Sequence, residues 1–535
     1  MPPDSSKSTG SSKSTGSPKD PQDQEAASLE RELRERTERA LAGGAPKYHD
    51  SIAEQGKLFV RKRLDLLLDE GSFVEDGLLA RTMDEGLAAD AIVTGLGTID
   101  GRPVCVIAND PTVKAGAWGR QTIRKYIRMQ NEAELSRCPL IYLVDSAGAR
   151  LDEQFDLFID RNHAGRIFWN QCRLSGRIPQ ICALFGPSPA GAAYVPSFCD
   201  VVIMVDGNAS AFLGSPRMVK MAIQEDVTAE EMGGARMHCE VSGLGDHLAK
   251  DDESALSAIR RYLSYLPQHW EAAAPAAKPQ PPAPGPSIGD IVPENQTQAF
   301  DMHELLERVF DEGSIFEHKR RFAKEMIVAF ARLDGRAVGV VASQPKYKGA
   351  IITSDVADKG TQFVQMCNAY GIPLLFFSDT PGFMVGSKVE RGGIIRHGAK
   401  YLSAIASSSV PRISVMVRKS YGAAYMAMSG ATFSPDAMIA LPTAKMAIMG
   451  PEAAINAIHA AKIEQIESQE ERDAFVKDRR EEYAKDIDVF RTASEFFIDS
   501  VISGDSLRNE LILRLGHYAH KQMEVLPRRN AVIRG

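Results

Sequence analysis

The 535-residue chain predicts an α/β protein built from two tandem copies of one unit, and three observations lead there. A run rich in proline and alanine, Glu271 to Pro286, interrupts the chain near its middle. Patterns before that run recur after it at a constant separation. Within each copy, short β-branched runs bounded by Gly, Pro and Asp alternate with longer stretches of helical period. At ~150 residues per domain the length allows two to four domains. A composition of 44% hydrophobic and 25% charged residues is that of a globular chain able to bury a core.

Taken in order, residues 1–28 hold the repeat Ser5-Ser-Lys-Ser-Thr-Gly10 and Ser11-Ser-Lys-Ser-Thr-Gly16 and read as a disordered tail. Residues 29–270 form the first copy, 271–287 a stiff extended linker, and 288–535 the second copy. Gly101-Arg-Pro-Val-Cys-Val-Ile-Ala108 answers Gly335-Arg-Ala-Val-Gly-Val-Val-Ala342, and the segment from Pro139 to Gly148 answers that from Pro373 to Gly382. Both pairs lie 234 residues apart, so Asp145 and Asp379 occupy equivalent places. The unbroken apolar runs 141–144 and 374–377 suit strands buried on both faces. Stretches 120–136, 165–172, 359–370 and 393–407 read as helices packed outside them. A densely charged stretch, 462–482, reads as solvated helix.

Several function classes are disfavoured. With 63 Lys and Arg against 70 Asp and Glu, the net charge of −7 gives no general attraction to nucleic acid or an anionic membrane. No apolar run approaches the ~20 residues that cross a bilayer, and no signal core or Arg-rich transit pattern opens the chain, so a cytoplasmic location is expected. The seven cysteines are scattered without a C-x-x-C pair and read as reduced thiols. His163, His238, His247 and His397 lack metal-ligand spacing, so no metal site is expected. A phosphate loop is missing, and Ser146 sits in no Gly-x-Ser-x-Gly elbow.

The chemistry centres on two turns. Leu184-Phe-Gly-Pro runs into Ser188-Pro-Ala-Gly-Ala-Ala-Tyr194, and Met416-Val-Arg-Lys runs into Ser420-Tyr-Gly-Ala-Ala-Tyr425. Each reads as strand, small-residue turn, helix, and both contain Gly-Ala-Ala-Tyr. Such a turn aims unobstructed backbone amides at an oxygen that is acquiring negative charge. Small residues also permit close helix packing, but recurrence at matching places favours function. Arg120, Arg124, Lys125 and Arg128 recur at helical spacing and form either a phosphate-binding face or a wet one. Asp145 and Asp379 end buried strands, where capping of a loop is the alternative to chemistry.

Residues 104–150, 186–196, 211–219, 233–247, 379–400 and 418–450 together resemble the carboxyltransferase (β) subunit of biotin-dependent acyl-CoA carboxylases, in order and over about residues 30–530. Ala108-Asn-Asp-Pro-Thr-Val-Lys-Ala-Gly116, Asp160-Arg-Asn-His-Ala-Gly-Arg166 and His238-Cys-Glu-Val-Ser-Gly243 resemble the 3-methylcrotonyl-CoA branch. Ser264-Tyr-Leu-Pro267 and Gly392-Gly-Ile-Ile-Arg-His-Gly-Ala-Lys400 resemble the propionyl-CoA branch, so the acyl group is not assigned by similarity.

The resemblance implies two crotonase-like (ClpP/crotonase spiral) domains. It implies transfer of CO₂ from carboxybiotin, carried on a partner biotin carboxylase/biotin carrier (α) subunit, to the α-carbon, or vinylogous γ-carbon, of an acyl-CoA. It also implies a dimer-based homo-hexamer with sites between the N-domain of one subunit and the C-domain of another. Ala190, Gly191 and Ala192 would hold the thioester oxygen as an enolate, and Gly422, Ala423 and Ala424 the ureido oxygen of biotin. Lys114, Gly116, Arg120, Arg124, Lys125, Ala147, Gly148 and Tyr194 would bind acyl-CoA; Thr380, Pro381, Gly382, Phe383, Tyr425 and Met426 would line the biotin or acyl pocket. Family members often have Gly-Gly where this chain has Ala190-Gly191 and Gly-Ala where it has Ala423-Ala424, so an added methyl is expected to narrow each site without removing a donor. Met426 stands where propionyl-CoA carboxylases have Asp, which points to a different acyl preference. A decarboxylase or transcarboxylase subunit and a non-catalytic carboxylase scaffold are the competing readings.

Overall fold

The computed structural model describes residues 21–521; the serine-rich repeat at 5–16 lies outside them. The expected disorder does not extend to residue 28, because Pro21–Ala42 is a helix. Proline suits the first helical turn, and the Gln, Glu, Ala and Leu that follow are strong helix formers.

The first sheet runs, in spatial order, Val74–Asp76, Ile92–Ile99, Arg102–Asn109, Leu140–Val144, Gln180–Leu184, Val201–Val205 and His247–Ala249. Its first three strands pair antiparallel and the rest parallel. The second sheet repeats this with Phe316–His318, Met326–Leu333, Arg336–Ser343, Leu374–Thr380, Arg412–Tyr421, Ala437–Ala440 and Ser500–Val501. Register is kept as well as order. Cys105 faces Leu140 and Gly339 faces Leu374, each partner 234 residues beyond its counterpart. Every residue of Leu140–Val144, Gln180–Leu184 and Val201–Val205 is buried, as parallel strands covered on both faces must be.

The helices fall where period and small residues placed them: Arg120–Ser136, Ala164–Leu174, Ser354–Ala369 and Ile394–Ala406. The charged stretch divides into Pro451–Gln465 and Gln469–Asp486, with Ser468 Oγ accepting from Glu471 N to cap the second. The run 271–287 is irregular backbone pinned along the second half, with Ala277 N bonded to Gly335 O and Arg332 Nη1 to Pro275 O.

The halves share one apolar cluster, reaching from Val60 and Ile141 to Phe330 and Tyr401. Polar clamps cross the same boundary. Tyr370 Oη shares its one proton between Asp200 Oδ2 at 2.6 Å and Ile178 O at 2.8 Å, and Lys319 pairs with Asp246 at 2.6 Å with both buried. Burying an ion pair is tolerable only when its remaining positions are filled, and Val202 N donates to the other Asp246 oxygen at 2.6 Å.

Candidate active site

Beyond Leu184 the chain continues as the short strand Pro187–Pro189, the turn Ala190–Ala193 and the helix Tyr194–Ser197. Ala190 has φ +55°, a left-handed conformation that costs an L-residue ~1–2 kcal/mol. Gly191 is exposed, and a Cβ built there would meet nothing nearer than Phe168 Cζ at 3.9 Å. Ala192 is buried, and its carbonyl accepts from Ser188 Oγ at 2.9 Å. The amides of Ala190 and Gly191, at the start of the turn, precede any acceptor within it.

In the second half the strand Arg412–Tyr421 leads to Gly422 and the helix Ala423–Ala427. Gly422 has φ +57° and ψ −139°, a combination open to glycine alone. Its amide donates to Ala447 O at 2.9 Å, and a Cβ there would lie 3.1 Å from Ile448 O. Ala423 is exposed, so its methyl does border the open face. Ala424 is fully buried in the shared core. The Ala423 methyl is thus at the exposed face of its turn, while at Ala190 the methyl sits on a left-handed, strained backbone.

Strand pairing corrects the alignment of the two turns. Residues 187–189 pair with 210–212, and residues 419–421 pair with 445–447. That fixes a separation of 232 and sets Ala190 opposite Gly422. The two Gly-Ala-Ala-Tyr tetrapeptides, 231 apart, are one residue out of structural register.

Loops from the neighbouring strands brace each turn. In the first half Lys114, Ala115 and Gly116 are all left-handed, with φ of 48°, 51° and 67°. Gly116 is required, since a Cβ would lie 2.1 Å from Asp145 O. Ala115 O accepts from Ala147 N at 2.9 Å, and Gly148 O from Trp118 N at 2.8 Å. The second half repeats the last contact, with Ile352 N on Gly382 O at 3.0 Å. Thr380 is buried, Pro381 exposed, and Phe383 packs against Gly398. Tyr425 Oη accepts from Ala431 N at 2.9 Å, while Met426 and Tyr194 reach the surface.

The row of cations divides. Lys114, Arg120 and Arg124 are exposed. Lys125 is set apart, for its ammonium donates to Ile92 O and Gly77 O at the sheet edge, and burial pushes its pKa down. Its position on the helix gave no sign of this, because residue spacing does not reveal a nearby carbonyl.

Two features went unseen in the sequence. Phe168, Tyr194 and Phe198 form an aromatic group beside Gly191, with ring centroids 6.0–6.1 Å apart; the i, i+4 spacing of Tyr194 and Phe198 was the available signal. The strand-end carboxylates, moreover, lie in buried charge clusters. Asp145 pairs with Lys57 at 3.3 Å and Arg63 at 3.4 Å, and Asp379 with Arg418 at 2.6 Å. Cavities of 920 and 620 Å³ open elsewhere in the molecule, and neither Gly191 nor Gly422 lines them. Gly191 and Ala423 lie on open surface, and Ile448, whose carbonyl approaches Gly422, is exposed as well.

Residues 52–533 match the carboxyl transferase domain family. The chain is 55% identical over 504 residues to an uncharacterized carboxylase, YngE, of Bacillus subtilis, covering 94% of this chain and 98% of that one. It is 38% identical to the carboxyltransferase subunit of propionyl-CoA carboxylase from Haloferax mediterranei, with 90% and 95% covered. Among solved structures, transcarboxylase 12S, a hexamer with methylmalonyl-CoA and methylmalonic acid bound, matches with a TM-score of 0.89 and 34% identity over 94% of this chain and 98% of that one. Likeness of sequence and of three-dimensional course agree over nine-tenths of the molecule, and on that ground the chain belongs to the carboxyl transferase family, with its duplicated crotonase-like fold.

Proposed function

We propose that this chain is the carboxyltransferase subunit of a biotin-dependent acyl-CoA carboxylase, acting in the cytoplasm. The observation that carries the reading is the pair of small-residue turns, one per half, set in the same register on a duplicated scaffold, with Gly191 and Ala423 exposed at matching places. Gly191 and Ala192 take the thioester oxygen of an acyl-CoA, and Ala423 and Ala424 take the ureido oxygen of biotin. The second turn fits that group: Ala423 is exposed, and glycine at 422 keeps side-chain bulk off the approach.

The reaction asks little else of the protein. As the α-proton leaves, charge moves onto the thioester oxygen and its hydrogen bonds to Gly191 and Ala192 strengthen. Each such donor is worth roughly 3 kcal/mol of barrier by analogy with measured oxyanion holes. Carboxybiotin supplies the CO₂ and, once that is released, the base for the α-proton. Holding both oxygens in one dry space supplies the rest by orientation. Phe168 and Phe198 offer the acyl chain an apolar wall, and exposed Lys114, Arg120 and Arg124 suit the CoA phosphates.

Neither Gly191 nor Gly422 lines the 920 or the 620 Å³ cavity of the single chain, and Gly191 and Ala423 are exposed. We therefore place the working site between the first half of one subunit and the second half of another in a homo-hexamer, served by a partner that carries biotin and its carboxylase. The test reconstitutes the chain with such an α subunit, ATP and bicarbonate, and offers acetyl-, propionyl-, butyryl-, 3-methylcrotonyl- and longer acyl-CoAs. ATP-dependent carboxylation of at least one thioester is expected. No product with any thioester, together with no biotin-dependent decarboxylation of malonyl- or methylmalonyl-CoA by the chain alone, refutes the assignment.

A further inference from the structure

The two halves make the same strand-end irregularity with different chemistry. In the second half Ser378 faces Met416 while Thr380 faces Ser420, so three residues, 417–419, stand opposite the single residue Asp379. Such an insertion interrupts the ladder and re-aims the strand, here toward Gly422. It also takes the Lys419 amide out of the ladder, and a buried amide needs an acceptor. Asp379 Oδ1 accepts it at 3.2 Å, while Oδ2 accepts Arg418 Nε at 3.1 Å and Nη2 at 2.6 Å. Arg418 Nη1 donates onward to Asn295 O at 2.9 Å and Gln298 O at 2.8 Å, and Lys419 Nζ to Gln296 O at 2.7 Å. The Asp379 and Arg418 side chains have no exposed surface.

In the first half, at the separation of 232 that the turns keep, Gly186 stands for Arg418 and Pro187 for Lys419. Proline has no amide to satisfy and glycine no side chain to place. A Cβ at Gly186 would lie 1.9 Å from Asp145 Oδ1, so no larger residue fits there. Asp145 is left to bind Lys57 and Arg63, which come from near the start of the chain. A carboxylate in the second half thus does what backbone chemistry does in the first.

From this we infer that Asp379 is a positioning residue: by accepting the Lys419 amide and pairing with Arg418 it holds the 417–419 bulge, and through it the direction in which Gly422 presents the amides of Ala423 and Ala424. The inference relies on the proposed function only for which group that turn receives.

The test uses the full chain, free biotin as the probe, and methylmalonyl- or malonyl-CoA decarboxylation as the assay. D379N is expected to lower kcat/KM for biotin at least tenfold with KM for the acyl-CoA within twofold of wild type. Amide hydrogen exchange over 417–424 should quicken at least tenfold while that over 186–192 stays unchanged. Should D379N not fold, D379L/R418M leaves no lone buried charge and is read in the same way. Wild-type kcat/KM for biotin in the variant, an acyl-CoA KM that rises in step, or exchange that quickens evenly across the molecule overturns the inference. If the wild-type chain itself shows no turnover with free biotin, the exchange measurement alone decides on Asp379, and the functional reading is decided by the reconstituted assay.

Discussion

The first turn places an alanine where the second places a glycine: Ala190 at φ +55° answers Gly422 at φ +57°. Across the duplication the backbone course has been kept and the residue identities have drifted. Identical letters are therefore a poor guide to equivalent atoms here, since the shared Gly-Ala-Ala-Tyr tetrapeptide sits one residue out of register. The surroundings have diverged in the same manner. A Cβ on Gly191 would meet only the Phe168 ring, whereas one on Gly422 would meet the Ile448 carbonyl.

The largest effects should come from blocking the amides themselves. G191V and A423V each put a branched side chain on an exposed turn position, and each is expected to lower biotin-dependent decarboxylation at least about 100-fold, the loss of one oxyanion donor or more. Assembly size, read by light scattering, should not change. A424V differs, because Ala424 is fully buried: overpacking there should cost ~1–3 kcal/mol of stability and lower the thermal midpoint. If one half tolerates valine at full rate, the two turns are not equivalent parts of one site.

Next in size, glycine and alanine exchanged at the left-handed position should act with opposite signs. G422A forces a non-glycine residue into a glycine-only region and should destabilise by ~1–3 kcal/mol. A190G relieves strain and should stabilise by up to ~1 kcal/mol. Denaturant midpoints of the two variants measured side by side check this, and equal shifts of the same sign would show that the backbone correspondence is wrong. F168A, which opens the aromatic wall, is expected to move the ratio of kcat/KM for a longer acyl-CoA over a shorter one by ~10-fold, within the range for one hydrophobic pocket change.

The repeat made most of the fold legible. The two-copy organisation, the strands buried on both faces and the helices outside them follow from apolar runs and their recurrence at 234 residues, because burial on both faces writes itself into composition, whereas strand order and the antiparallel start of each sheet do not. The turns were legible as places and not as geometry. A left-handed glycine advertises itself, whereas a left-handed alanine such as Ala190 leaves no mark in the sequence. Lys125 looked like its neighbours Arg120 and Arg124 until the Ile92 carbonyl was seen above it. The clusters at Asp145 and Asp379 were hidden because their cations arrive from unrelated places in the chain, Arg63 from a helix far upstream and Arg418 from the turn strand itself.

The smallest expected effect compares two carboxylates that cap equivalent strands. Asp200 Oδ2 accepts Gln180 N at 2.8 Å, and Asp436 Oδ2 accepts Arg412 N at 2.8 Å. Asp436 has a cation, Lys521 Nζ, at 2.8 Å, whereas Asp200 has only the hydroxyl of Tyr370. Burial without a counter-charge pushes the Asp200 pKa up to about 6, from an ordinary 3.8. A carboxyl whose folded pKa is raised contributes stability that is complete below the unfolded value and is lost as the pH climbs through the folded one. Wild type and D200N should therefore be matched near pH 3.5, and D200N should become the more stable by on the order of 1 kcal/mol above pH 6.5, a modest amplitude because Asp200 is only half-buried. D436N should lose stability at neutral pH instead, since it strips Lys521 of its partner. Thermal midpoints of the three proteins between pH 3.5 and 8 measure both trends, and parallel curves for wild type and D200N would mean that Asp200 is ionised at no extra cost in the folded chain.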